Sequence, residues 1–285
     1  MSALSQYSLL RHLCWGMLGV HDPSRSWVAI MTEYALYLDD GGHPNDQPFL
    51  VVAGYVACEE RWLAFEPEWR KALARFDLGD VFHMTDFMSC RYTPLKRDHI
   101  LGSLAAVVKA HTIRPFACAI DIAAYKRVNE DMALEECHGA PFALVVRSVA
   151  RDIHLWKRTI TAEDRLLTFV EEGTKHFGEM EKVMKRDGIP VPNRVPKALP
   201  QVQPADILAW EMFHWLKTGL PKMGKNLDRL TRPIRKQQNF GGMVYENDLR
   251  RICADTKVPP RSVLSPGYKI AFHSERKKRR HRTIK

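Results

Sequence analysis

The sequence predicts an α/β protein with a mixed sheet covered by helices on both faces, on three observations. Two apolar runs, Tyr34–Leu38 and Phe49–Val56, flank a Gly/Pro/Asn/Asp-rich turn, the signature of a hairpin. Helical and strand patterns then alternate, the arrangement of a layered α/β sheet. The strand segments read as continuous apolar runs, as strands buried on both faces do.

The elements follow in order. Tyr34–Leu38 ends in Asp39-Asp40-Gly41-Gly42, a strand closed by a sharp turn. Glu59 to Phe76 is helical, with Trp62, Phe65, Trp69, Leu73 and Phe76 on one face and a break or kink expected at Pro67. Val81 to Phe87, which includes His83 and Asp86, reads as a loop. Pro94 to Ala110 is a helix that opens on a proline. Ile113 to Ile122 is a strand, Pro141 to Trp156 a long helix, and Arg165 to Val170 a strand ending in Glu171-Glu172-Gly173. Phe177 to Arg186 is a short helix before a proline-rich connection.

That connection leads into Gln203-Pro204-Ala205-Asp206, the polar entry of an amphipathic helix. Pro204 suits a helix start because its φ is already helical and its missing N–H has no partner there. Ile207, Leu208, Trp210, Phe213, Trp215 and Leu216 recur at helical spacing and predict the buried face. Asp206 falls in the first turn, where an acid ordinarily complements the helix dipole. Beyond Lys217 the pattern weakens into a basic, Gly/Pro-broken region, with one more helix read at Tyr245 to Cys253.

At 285 residues, 45% hydrophobic and 27% charged, the chain can bury a proper core. No apolar run is long enough to span a membrane, and no secretory signal pattern is read. The six cysteines lie far apart without zinc spacing, so reduced thiols and a cytoplasmic location are expected. The net charge of +10 is uneven: seven basic residues and one acid lie between Ser274 and Lys285. Such a block stays disordered and commonly contacts nucleic acid, although it also serves as a solubilising tail. The expected organisation is an extension over 1–30, with Met31 as the biological start, a domain over 31–217, a basic extension over 218–273 and a tail over 274–285.

The acids give the main functional signal. Asp39 and Asp40 end the first strand, Glu171 and Glu172 end the last, and Asp206 opens the closing helix. Strand ends in an α/β sheet face a shared crevice, so these residues can converge from distant positions. Several carboxylates around one point repel unless a cation or protons intervene, and hard cations such as Mg²⁺ or Mn²⁺ prefer oxygen ligands.

The motifs Tyr37-Leu38-Asp39-Asp40-Gly41-Gly42, Phe49 to Val56 with Ala53-Gly54, Phe82-His83, Phe169 to Gly173 and Gln203-x-x-Asp206-Ile207-Leu208-Ala209-Trp210 together resemble the family called domain of unknown function 3800. The resemblance covers roughly Tyr34 to Lys217. It departs at Asp40, where that family usually has Glu. It implies a ribonuclease H-like fold and, through a carboxylate cluster, phosphodiester hydrolysis dependent on Mg²⁺ or Mn²⁺. Asp39, Glu171 and Asp206 are then the expected ligands, with Asp40 and Glu172 as second choices.

His83 matches the family's histidine and is expected either in proton transfer or as a structural loop residue. Lys197 stands where the family has a lysine, a candidate phosphate contact against an ordinary solvated lysine. Gln203 is read as bonding either the backbone at the helix mouth or a substrate group. Asp121 reads as a helix cap in preference to a ligand.

Three functions compete: a metal-dependent nuclease, a nucleic-acid-binding module with a degenerate site, and a protein-interaction scaffold. A protein partner or a homo-oligomer is compatible with each.

Overall fold

The computed structural model describes residues 33–42, 47–158, 165–174, 176–218 and 242–263. The expectations for residues 1–30, for the basic run around 219–241 and for the tail fall outside the described residues. Among the described residues no helix is long and apolar enough to cross a membrane. Cys58, Cys90, Cys118, Cys137 and Cys253 are free thiols.

β1 (Glu33–Gly41) and β2 (Phe49–Cys58) form the expected antiparallel hairpin. β3 (Arg114–Asp121) adds antiparallel to β2. On the other side of β1, β4 (Arg165–Glu171) pairs parallel, and the three-residue β5 (Asn193–Val195) follows parallel to it. β6 (Gly242–Val244) lies parallel to β3, giving one mixed sheet in the order β5-β4-β1-β2-β3-β6. Residues beyond Lys217, read from sequence as an extension, therefore contribute a strand to the same sheet.

Strand alternation sorts the side chains into two cores. Ala35, Tyr37, Val51, Ala53, Tyr55 and Ala119 face one side, packed by α1 (Glu59–Arg75), α2 (Met84–Ser89), α3 (Pro94–His111) and α8 (Gln203–Thr218). Leu36, Leu38, Leu50, Val52, Val56 and Cys118 face the other side. It is covered by α4 (Ile122–Asp131), α5 (Leu134–His138), α6 (Pro141–Lys157), α7 (Phe177–Asp187) and α9 (Glu246–Asp255).

Two expectations are corrected. α1 runs without a break through Pro67, which is exposed while Trp62, Phe65 and Trp69 on either side are fully buried. Burial of both halves on one sheet holds the helix where proline removes one of its hydrogen bonds. On α8, Trp210, Trp215 and Leu216 are only partly buried, whereas Gln203 through Ala209, Glu211, Met212 and Phe213 are buried. The first turns of that helix are enclosed all round, so a single apolar stripe under-describes it.

Gly41 fixes how close α8 comes to the end of β1. A Cβ on Gly41 would stand 2.8 Å from the Ala209 carbonyl oxygen, closer than real packing permits. Gly41→Ala is expected to push the helix off the strand end and to cost about 1–3 kcal/mol, the usual range for overpacking a tight contact. Urea unfolding of the variant beside wild type checks this; an unchanged midpoint would show that the approach is not constrained.

Candidate active site: a carboxylate cluster at the strand ends

The site begins with the side-chain alternation of β1. Tyr37 stacks on Phe169 of β4 with ring centroids 4.8 Å apart, so the two share a face. Two residues further along each parallel strand, Asp39 and Glu171 share it too. Asp40 points by the same rule toward the opposite face, and its N–H donates to Asp39 Oδ1 at 2.8 Å. Glu172 lies past the end of β4, exposed, with its backbone N–H donated to the Val195 carbonyl at 2.7 Å. Alternation therefore separates each acidic pair, leaving Asp39 and Glu171 on the side covered by α8.

Asp206 arrives from that helix. It is buried, and its Oδ2 accepts the Met84 N–H, the first of α2, at 2.5 Å. The contact joins an acid in the first turn of α8 to the positive end of α2. His83, immediately before α2, turns Nε2 toward Asp206 Oδ1 at 3.9 Å and Nδ1 toward Asp86 at 3.3 Å. Lys197, in the connection between β5 and α8, lies close enough to lower the pKa values of both Glu171 and Asp206.

Electrostatics record the convergence. The carboxyl of Asp39 is held well above its ordinary range by burial first, then by the like charges of Asp206, Glu171 and Asp40. Burial raises Glu171 as well, Asp206 adds to the rise, and Lys197 and His83 oppose it. Burial also raises Asp206, against the Met84 N–H, His83 and Lys197. Asp39 thus senses both of the other acids, and Glu171 senses Asp206.

Their all-oxygen donor set suits a hard divalent cation. Among the described residues, however, no three His, Cys, Asp or Glu side chains already stand around one point as ligands. The set fits such an ion in chemistry, while its present arrangement is open.

Gln203 has its amide engaged within the protein. Oε1 accepts both Trp69 Nε1–H and Phe82 N–H at 2.9 Å, and Nε2 donates to the Asp80 carbonyl at 3.3 Å. Its backbone partners lie in the distant segment 80–82 and not at its own helix mouth. The amide fixes residues 80–82, and with them the position of His83. Asp121 caps α4 by accepting the Ala124 N–H at 3.0 Å.

The sequence reading missed α2, Trp69 and the Met84 amide. α2 has only six residues, too short for a periodic signal, and its one cue was Asp86 in the first turn. Trp69 was legible as core, but its indole bond was not.

Fold and site together define an α/β protein of mixed sheet, with two buried carboxylates, Asp39 and Asp206, and the partly buried Glu171 where β1, β4 and α8 meet. No family model and no curated protein matches the chain. Among solved structures it is similar to a mutant of Bst-RNase HIII, at 17% identity and a TM-score of 0.39, over 80% of this chain and 68% of that one. It is also similar to Bst-RNase HIII in complex with Mn²⁺, at 14% identity and a TM-score of 0.35, over 89% of this chain and 71% of that one. A third similarity is to the structure of the PCNA:RNase HII complex from Archaeoglobus fulgidus, at 12% identity and a TM-score of 0.33, over 83% of this chain and 97% of that one.

Proposed function

We propose that the chain is a ribonuclease H-like protein of the domain of unknown function 3800 type that hydrolyses phosphodiester bonds in nucleic acid with Mg²⁺ or Mn²⁺. One observation carries the reading: Asp39, Glu171 and Asp206 meet where β1, β4 and α8 adjoin, burial raises each carboxyl pKa, and the charges of both other acids raise Asp39 further. Such a cluster opposes folding stability, and a function that needs the acids accounts for its persistence. The sheet order adds support, since a three-stranded antiparallel meander followed by parallel β4 and β5 beyond β1 matches a ribonuclease H-like layout.

In this reading Asp39, Glu171 and Asp206 hold the cation, with Asp40 and Glu172 outside the inner set. When bound, the ion supplies Lewis-acid polarisation of the phosphoryl oxygen and an activated water. His83 Nε2 faces the cluster and can hold or pass a proton there, oriented by Asp86. Lys197 offers a point charge for a phosphate oxygen. Gln203 and the Met84 amide keep His83 and Asp206 in place.

Isothermal titration of Mn²⁺, with cleavage assays on single-stranded RNA, DNA and an RNA·DNA hybrid, tests the reading. Wild type is expected to bind Mn²⁺ and to cleave at least one substrate. Asp206→Asn and Glu171→Gln are each expected to weaken both by about a hundredfold or more, with the fold kept by circular dichroism. Wild type that takes up no Mn²⁺ even with nucleic acid present would overturn it.

A further inference from the structure

On the opposite face of the sheet from the carboxylates, α6, β4 and the end of α7 border a half-open cavity of about 530 Å³. Arg147, Arg151 and His154 line it at the fourth- and third-residue steps of one face of α6, with Lys157 following. Leu166, Ile189 and Pro190 supply an apolar floor. No acid lines it. Arg147 is fixed at its back, bonded to Asp187 at 2.8 Å and to His138 Nδ1 at 3.1 Å. His138 in turn contacts Thr256 Oγ1 at 2.8 Å, so this guanidinium is locked into the fold through α5 and α9.

A small-molecule site combines mostly apolar walls with a few convergent polar groups, in a cavity of about 300–1,000 Å³. Arg, Lys and His around one mouth select an anion, and a guanidinium presents the fork that phosphate oxygens match. The floor asks for an apolar or ring body on that anion. Leu166 and Thr168 line the cavity from the N-terminal half of β4, whereas Glu171 ends that strand and projects to the other face.

We propose that this cavity binds a phosphate ester of nucleotide size, its phosphate held by Arg151, Lys157 and His154 and its ring body lying on Leu166, Ile189 and Pro190. The site is independent of the carboxylate cluster and does not rest on the nuclease reading.

The test is calorimetric titration of the full chain with adenosine 5′-monophosphate, adenosine and inorganic phosphate. Adenosine 5′-monophosphate is expected to bind at about micromolar Kd, at least tenfold tighter than either fragment. The double variant Arg151→Glu/Lys157→Glu, at two cavity-lining positions, is expected to weaken it tenfold or more. Ala150→Trp, which fills the cavity without changing charge, should do the same, whereas Asp206→Asn should leave binding unchanged.

No binding up to about millimolar nucleotide overturns the proposal. So does phosphate binding as tightly as the nucleotide, which would make the floor irrelevant, or nucleotide affinity that survives both cavity variants. A single-stranded oligonucleotide that binds in a cavity-dependent way while the mononucleotide does not would overturn it in favour of a nucleic-acid track.

Discussion

Asp39→Asn is expected to raise the melting temperature of the metal-free protein at neutral pH and to abolish its affinity for Mn²⁺. Burial and three neighbouring acids hold the Asp39 carboxyl well above its ordinary pKa, so the folded state retains the proton longer than the unfolded chain does. The stabilising contribution of such a group is complete below the unfolded value, about pH 4, and is lost as pH rises through the folded value. Ionising Asp39 in the folded state therefore works against burial and the charge of three acids, a penalty the unfolded chain does not carry.

Asn removes that charge while its side-chain oxygen can still accept the Asp40 N–H. A gain of about 1–3 kcal/mol is expected at pH 7, shrinking toward pH 4. In a domain of this size that is about 2–4 °C of melting temperature per kcal/mol. Saturating Mn²⁺ reverses the order, since about a thousandfold excess over Kd stabilises only the protein that binds it, by about 4.1 kcal/mol. Thermal melts at pH 4, 5.5 and 7, in EDTA and in Mn²⁺, give the answer. A variant less stable than wild type in EDTA at pH 7 would show that Asp39 is a structural acid.

The second large effect is expected at Gln203. Gln203→Ala leaves the Trp69 indole N–H and the Phe82 amide without their acceptor in a buried place and opens a cavity under α1 and α8. Each orphaned buried donor costs about 1–3 kcal/mol, and the lost volume adds to that. The sum is about 3–5 kcal/mol, readable as a shifted urea midpoint. Residues 80–82 lose their anchor at the same time, so metal-dependent cleavage should fall even where the variant remains folded. The pH dependence of that cleavage should change too, because His83 is no longer held against Asp206. A variant of wild-type stability would mean that water replaces the amide fully.

Much of the architecture is legible in the sequence. The hairpin of β1 and β2, the helices α1, α3, α6 and α7 and the strands β3 and β4 all follow from local periodicity and turn chemistry, within a few residues of their observed ends. The apolar face of α1 was legible because Trp62, Phe65, Trp69 and Leu73 repeat at helical spacing. Short elements were not. α2, β5 and β6 have six, three and three residues and carry no period of their own; they exist because a neighbouring strand or helix end supplies their hydrogen bonds.

The candidate site divides along the same line. The acids themselves, and the idea that they meet, come from the sequence, because strand ends and helix mouths are local features that converge in an α/β sheet. Which member of each acidic pair faces inward is a matter of register. The parallel pairing of β1 with β4 puts Asp39 and Glu171 on the α8 side and leaves Asp40 and Glu172 outside it.

Sequence alone could not decide whether Gln203 reaches a substrate or the backbone, since its partners Trp69, Asp80 and Phe82 lie more than a hundred residues away. The cationic cavity behind the sheet is likewise a product of packing, where α6 faces the end of α7 across β4. The sequence determined the elements and the chemistry they carry, because those depend on near neighbours along the chain. Only the tertiary structure determined which side chains share one small volume, because that depends on how distant segments pack.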